Sequence, residues 1–344
     1  MKKILITGGC GFIGHHFVEH ILKNTNWNIS IIDKLTYASE GHDRLRDIEV
    51  FDDKRLSIFN ADFSHELSEG IIKEIGQVNY IVHMGAETHV DRSIEDPRPF
   101  VQANVIGTLE MLEYAKKHQK NLEAFLYFST DEVFGPAPEG TFYKEFDRYN
   151  SGNPYAATKA GGEELCVAYA NTYKIPTLIT HTMNVFGERQ HPEKFIPKVV
   201  KACLSGEEIS IHSNKDKTKA GSRHWIHARN VSSAITYLID NVVTKDNWKI
   251  GDKYNIVGER EVDNLEMAQI ISKILDKELK YKMVDFHSSR PGHDLRYALD
   301  GAKMKALGWK IPIEFENSLK KTIEWVSDSK NKKWLYENKR NNII

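Results

Sequence analysis

The chain has 344 residues, with 47 Lys and Arg against 48 Asp and Glu and a formal charge of −1. Near-neutrality excludes a field that recruits nucleic acid, so an anionic ligand must be held by local positive groups. Hydrophobic residues make up 40% and charged residues 28%, ordinary for a globular chain with a large core, and no apolar run approaches membrane-spanning length.

In chain order, residues 4–7 (Ile-Leu-Ile-Thr) read as a strand buried on both faces. Gly8, Gly9, Gly11 and Gly14 follow at once, and after them Phe17, Val18, Ile21 and Leu22 recur at helical spacing. Such a strand, glycine turn and helix lets backbone approach a pyrophosphate and offers it a helix N-terminus. A glycine triplet alone is a weak signal; its place between strand and helix strengthens it. Cys10 in the turn reads as a small filler. A second strand at 28–32 ends on Asp33, about 20 residues past the turn, where a carboxylate accepts ribose hydroxyls and repels a 2′-phosphate. NAD is therefore expected over NADP. The apolar run after Lys2 and Lys3 is too short for a signal peptide.

Residues 34–50 read as a polar loop with a short helix. A third strand at 56–59 leads to Asp62 and Phe63, which suit an adenine site and equally a polar strand end. A fourth at 80–83 leads to the small residues Gly85 and Ala86. Residues 87–93 are unusually polar for a buried crossing. Residues 98–118 read as one long helix whose Asn104 faces the apolar side; a structural hydrogen bond is favoured there over a relay role. A fifth strand at 124–128 is followed by Ser129, Thr130, Asp131 and Glu132, where parallel sheets build their sites. Two adjacent carboxylates usually mark a solvated turn, and their position raises the catalytic reading. Residues 153–173 read as a helix on which Tyr155 and Lys159, four apart, share a face. An ammonium there is expected to lower the phenol's pKa and make it a usable base.

A sixth strand at 177–182 completes the expected α/β fold, a doubly wound parallel sheet. Beyond it, helices at 195–204, 230–241, 263–275 and 314–326 and a short strand at 254–257 suggest a smaller α+β lobe. The expected division is 1–183 for the dinucleotide-binding domain and 184–327 for the substrate lobe, with returns to the sheet allowed. Residues 328–344 are expected to form a fraying polar tail. Cys10, Cys166 and Cys203 form no CxxC, which argues against a zinc site or disulfide framework and suits a reducing cytoplasm.

The segments TGGCGFIG (7–14), HMGAETHVDRSI (83–94), STDEVFG (129–135), YAATK (155–159), NVFGERQHPEKFIP (184–197), SRHWIH (222–227) and RPGHDLRYALD (290–300) together resemble the nucleotide-sugar 4,6-dehydratases of the extended short-chain dehydrogenase/reductase family. The likeness spans nearly the whole chain, and the Thr-Asp-Glu triplet is its most diagnostic part. It implies NAD, held by Gly8, Gly11, Phe12, Ile13, Gly14, Asp33, Asp62, Phe63, Ala86, Tyr155 and Lys159. It implies a nucleotide-diphosphate hexose, held by Thr88, Asn184, Lys194, Arg223, Arg290 and His293, and no metal. Tyr155 would take the proton from O4, with Thr130 hydrogen-bonding that oxygen. Glu132 would take the C5 proton and Asp131 would protonate the departing 6-hydroxyl, leaving a 4-keto-6-deoxy sugar. The family commonly forms homodimers through two helices per subunit, here 98–118 and 153–173. A 4-epimerase or decarboxylase on this scaffold would need Tyr155 and Lys159 but not the acid pair; a non-catalytic NAD sensor would need none of the four. The sequence departs from the family's pattern at Phe134, where a tyrosine is usual, at Val185 after Asn184, at His224 within Arg-His-Trp, at Arg229-Asn230, and in the basic stretch 212–221. The base and the C2 substituent of the sugar stay open.

Overall fold

The computed structural model describes residues 1–245, 248–285 and 295–336. Among them the strands are β1 (Lys3–Thr7), β2 (Asn28–Asp33), β3 (Leu56–Asn60), β4 (Tyr80–His83), β5 (Ala124–Thr130), β6 (Thr177–Thr182), β7 (Asn184–Phe186), β8 (Ile209–Ser213), β9 (Ser222–His227), β10 (Asp252–Ile256), β11 (Glu261–Asp263) and β12 (Tyr281–Asp285). Seven of these form one parallel sheet in the order β10-β6-β5-β4-β1-β2-β3. The order reverses direction between β1 and β4, so the crevice at their C-terminal ends is the topological switch point where such sheets bind ligands.

The sheet is covered on both sides, which explains its unbroken apolar strands. Alternate residues serve opposite faces: Ile4 and Ile6 pack with Phe17, Ile21 and Val231 on one side, and Leu5 with Ile81, Leu112 and Tyr169 on the other. Each such side chain contributes about 1.5–3 kcal/mol when fully buried.

The first turn is built as tightly as its glycines suggest. Gly8 adopts φ +73°, and its N–H donates to the Ile32 carbonyl at 2.9 Å. A Cβ at Gly14 would stand 2.1 Å from the Gly8 carbonyl oxygen, so helix Phe12–Asn24 can lie this close only without a side chain. Gly14→Ala is therefore expected to cost about 1–3 kcal/mol of overpacking, read as a lowered thermal midpoint; an unchanged midpoint would mean a looser turn.

Three expectations need correction. The strand expected in the small lobe near residue 254 joins the large sheet instead, because β10 pairs in parallel with β6 from Asp252 to Ile256. The single helix at 98–118 is interrupted by a π-helical turn, Val101–Ile106, before Gly107–His118. Within that turn the Asn104 side chain accepts from the Glu87 N–H at 2.9 Å and donates to the Glu87 carbonyl at 3.0 Å and to Thr158 at 3.0 Å. It is a structural clamp, and it holds the polar segment that leads into helix Val90–Glu95. The polar tail is also docked at its start: Ser329–Trp334 forms a 3₁₀ turn, and Trp334 and Leu335 are buried. Arg44 faces the Trp334 ring and donates to Ala38 and Arg189 carbonyls, so polar neighbours in sequence conceal a packed contact.

The second lobe has its own core of Ile196, Val200, Trp225, Met267, Ile271, Leu319 and Ile323, drawn from β9 and from helices Phe195–Ser205, Asn264–Leu275 and Phe315–Ser327. Two small sheets, β11-β9-β7 and β12-β8, carry it over the C-terminal edge of the large sheet. Sequence periodicity missed all five of these strands because they are short and mixed in polarity.

Candidate active site

A cleft of about 680 Å³ runs from the glycine turn, past the ends of β1, β4, β5 and β6, to β9 of the second lobe. Its wall brings together Gly8, Gly11, Phe12, Ile13, Gly14, Asp33, Phe63, Ala86, Thr88, Thr130, Asp131, Glu132, Tyr155, Lys159, Asn184, Lys194 and Arg223. Asp62 is not part of that wall. Its carboxylate turns back to accept from the Ser64 N–H at 2.9 Å and the Ser64 hydroxyl at 2.7 Å, as an aspartate at a strand end commonly does. Arg290 and His293 lie outside the described residues.

The turn end of the cleft fits a dinucleotide. Gly11 precedes the helix without any side-chain cap, so first-turn N–H groups have no intrahelical acceptor and a positive dipole end faces the cleft. A Cβ on Gly11 would meet only the Gly8 oxygen, at 3.2 Å. Asp33 ends β2 with its carboxylate accepting from the N–H groups of Cys10 at 3.0 Å and Leu35 at 2.9 Å. Burial raises its pKa, against those hydrogen bonds.

The middle of the cleft holds the reactive groups. Thr130 ends β5, and Asp131–Phe134 turns immediately into a 3₁₀ helix. That turn sends consecutive carboxylates into different surroundings. Asp131 is 3% exposed, accepts from the Thr130 hydroxyl at 3.0 Å through Oδ1, and has no hydrogen-bond partner on Oδ2. Burial, reinforced by the Glu132 charge, pushes its pKa up to about 7. Glu132 is half-buried and accepts from Asn153 Nδ2 at 3.1 Å.

Helix Pro154–Tyr173 supplies the other wall. Asn153 caps it by accepting from the Ala156 N–H at 2.8 Å, and Pro154 opens it. Its small residues allow close approach: a Cβ at Gly162 would stand 2.4 Å from the Tyr127 hydroxyl. Tyr155 and Lys159 do share the cleft face, but their coupling differs from expectation. Lys159 Nζ donates to the Phe128 carbonyl at 2.7 Å, and burial pushes its own pKa down to about 7. Burial and the Glu132 and Asp131 charges raise the Tyr155 phenol, while its hydrogen bond with Thr130 works the other way. Sequence spacing places the lysine near the phenol; the carboxylates that oppose it come from the turn after β5.

Across the cleft, Arg223 donates to the Ser222 and Leu295 carbonyls at 2.6 and 2.9 Å and stacks on Tyr297. Lys194 is near both Glu193 and Glu132. Among the described residues no group of His, Cys, Asp and Glu is placed to hold a metal.

The family model described as GDP-mannose 4,6 dehydratase matches residues 5–322. The chain is 36% identical over 355 residues to dTDP-glucose 4,6-dehydratase 1 of Escherichia coli K12, covering 97% of this chain and 94% of the relative. It belongs to the nucleotide-sugar 4,6-dehydratase family. Its fold resembles that of a dTDP-glucose 4,6-dehydratase from Streptomyces venezuelae crystallised with NAD and TYD, at TM-score 0.84 and 32% identity over 96% of this chain and 98% of that one. A UDP-glucuronic acid 4-epimerase from Bacillus cereus shares the fold at TM-score 0.83 and 24% identity, over 94% and 98% of the two chains.

The departures from the family's pattern fit their surroundings here. Phe134 is fully buried between Tyr143, Tyr149 and His181, a site that an aromatic ring fills without a hydroxyl. Arg229 pairs with Glu188 at 3.2 Å, and Asn230 donates to the Ile313 carbonyl at 2.8 Å, so this changed pair serves packing between helix and loop. The cleft also reaches Lys198, His212, Trp225, Asn264 and Tyr297 of the second lobe. Sequence reading did not assign these residues, because they come from five separate segments with no common spacing.

Proposed function

We propose that this chain catalyses the NAD-dependent dehydration of a nucleotide-activated hexose to its 4-keto-6-deoxy product. The observation that carries the reading is the acid pair. One carboxyl, Asp131, is buried with a pKa near 7, while its neighbour Glu132 is half-buried and hydrogen-bonded by an amide. Two carboxyls whose environments differ suit opposite proton-transfer roles, and a 4-epimerase has no use for such a pair. The family and its dTDP-glucose-acting relatives support the same chemistry.

Bound along the glycine turn, NAD supplies reversible hydride uptake, from C4 and back to C6, together with a positive ring charge. The chain's own groups do the rest. Tyr155 accepts the O4 proton, helped by the Thr130 hydroxyl. The 4-ketone acidifies C5–H, whose proton Glu132 removes and, after water has left, gives back to C5. Neutral Asp131 donates its proton to the 6-hydroxyl as water leaves. Lys159 and Asp33 bind the cofactor's riboses, and Asn184, Lys194 and Arg223 meet the substrate, with Arg223 suited to the diphosphate by its forked geometry.

A panel of dTDP-, UDP-, GDP- and CDP-glucose and their 2-acetamido forms tests this. The expected result is a 4-keto product one water lighter than its substrate for at least one base. Epimerisation without water loss would assign the chain to the rival chemistry.

Asp33 should enforce the choice of cofactor. A 2′-phosphate would meet a buried carboxylate, so NAD is expected to copurify and to bind more tightly than NADP in a fluorescence titration. Tighter NADP binding would overturn the role given to Asp33.

The same reading includes a homodimer formed through segment 98–118 and helix Pro154–Tyr173, supported by the exposed Val101 and Tyr173 side chains; light scattering at one subunit's mass would overturn it. Three buried, unpaired cysteines suit the reducing cytoplasm. No helix of the described residues is long and apolar enough to cross a membrane.

A further inference from the structure

Behind the acid pair lies a buried charged cluster that the proton transfers do not use. Glu163 is fully buried in helix Pro154–Tyr173, two turns beyond Tyr155. One oxygen accepts from the Ser129 hydroxyl at 2.8 Å. The other faces His181 Nε2 at 3.0 Å and Lys253 Nζ at 2.9 Å, and also accepts from the Tyr149 hydroxyl. Burial opposes its charge, and His181 and Lys253 outweigh that effect, so its pKa lies below the ordinary range. A buried ion pair is a poor source of net stability compared with a well-packed apolar core. The cluster's position suggests another use.

Ser129 immediately precedes Thr130, Asp131 and Glu132. The ties between the end of β5 and the Tyr155 helix include Asn153 to Glu132, Lys159 to the Phe128 carbonyl, and Ser129 to Glu163, beside those of Thr130 to Tyr155 and of Tyr127 to the Lys159 carbonyl. The first two ties use groups that face the cleft. The third runs from Ser129 on the cleft wall to Glu163 behind it, and it is anchored to β6 through His181 and to β10 through Lys253.

We propose that Glu163, through Ser129, is a positioning pair that sets the register between the strand end carrying Asp131 and Glu132 and the helix carrying Tyr155 and Lys159. The inference rests on the dehydratase reading and deepens it. Oxidation at C4 uses Tyr155 and Lys159 of the helix, with Thr130 helping; elimination across C5 and C6 uses Asp131 and Glu132 just past the strand. Both must address one sugar pose, and a misplacement of about 1 Å can cost roughly 100-fold in rate. A fault in this register harms the match between the two half-reactions more than either alone.

Ser129→Ala removes one hydroxyl while leaving His181, Lys253 and Tyr149 on Glu163. Its kcat is expected to fall at least roughly tenfold, with KM and NAD affinity within about twofold of wild type. The decisive readout is the ratio of deuterium incorporated at C5 of recovered, undehydrated sugar to water lost. Slippage raises that ratio, whereas a smaller folded fraction lowers both quantities together. Glu163→Gln, which keeps an acceptor for Ser129, should retain a ratio nearer wild type than Ser129→Ala. A wild-type ratio in Ser129→Ala would overturn the positioning role while leaving the dehydratase reading intact. Absence of water loss in wild type itself, on every sugar of the panel, would overturn both.

Discussion

Glu132→Gln is expected to stop water loss while sparing oxidation of the sugar at C4. The amide keeps the shape of the side chain and its contact with Asn153 but cannot take a proton from C5. A general base of this kind contributes about 10²–10⁴-fold, so turnover should fall by that order. On mixing with substrate, the absorbance of reduced nicotinamide should rise and persist without any mass loss, and solvent deuterium should no longer enter C5. Tyr155→Phe gives the contrasting result. The phenol acts before everything else, so neither reduced nicotinamide nor C5 exchange should appear. Near wild-type dehydration by Glu132→Gln would reduce that residue to a polar turn and hand the C5 proton to another base.

Asp131→Asn is expected to lower activity and raise stability. As an acid, Asp131 must carry its proton, so wild-type kcat should decline as pH rises through about 7, the value set by burial and the Glu132 charge. Asn has no acid proton to give, and turnover should drop by about 10²–10⁴-fold, with that limb of the pH profile lost. The linkage runs from the same shift. An ordinary aspartate titrates near 3.8, so between about pH 4 and 7 the folded chain holds a proton that the unfolded chain has released. The contribution of the protonated group to stability is complete below the unfolded value and is lost as pH rises through the folded one. At about 1.4 kcal/mol per pH unit, the buried charge costs the native state on the order of a few kcal/mol at pH 8. The thermal midpoint of Asp131→Asn should therefore exceed wild type at pH 8 and approach it near pH 4. Equal gains at both pH values would show that the carboxyl is not strained by its burial, and a variant of undiminished turnover would remove it from the mechanism. Active sites commonly carry this conflict between stability and function.

Much of this molecule was legible before folding because its signals are local. The run Ile4–Thr7 and the glycines after it announce a buried strand and a tight turn, since no other residue tolerates the contacts at Gly8 and Gly14. Asn153 and Pro154 announce a helix start, and four-residue spacing puts Tyr155 and Lys159 on one face of it. The adjacency of Asp131 and Glu132 is likewise a fact of sequence. Their inequality is not. It arises because β5 ends in a 3₁₀ turn that buries one carboxyl and leaves its neighbour half-buried. Spacing also suggested an ammonium working on the Tyr155 phenol, whereas Lys159 is held by the Phe128 carbonyl and the phenol faces carboxylates from the turn after β5. The return of β10 to the large sheet, the docking of Trp334 against Arg44 and the convergence of Ser129, Glu163, His181 and Lys253 all join residues far apart in the chain. Local pattern determines which elements form and which groups they carry; burial and charge at a site are sums over neighbours that only the folded chain assembles, and those sums decide which carboxyl holds a proton at pH 7.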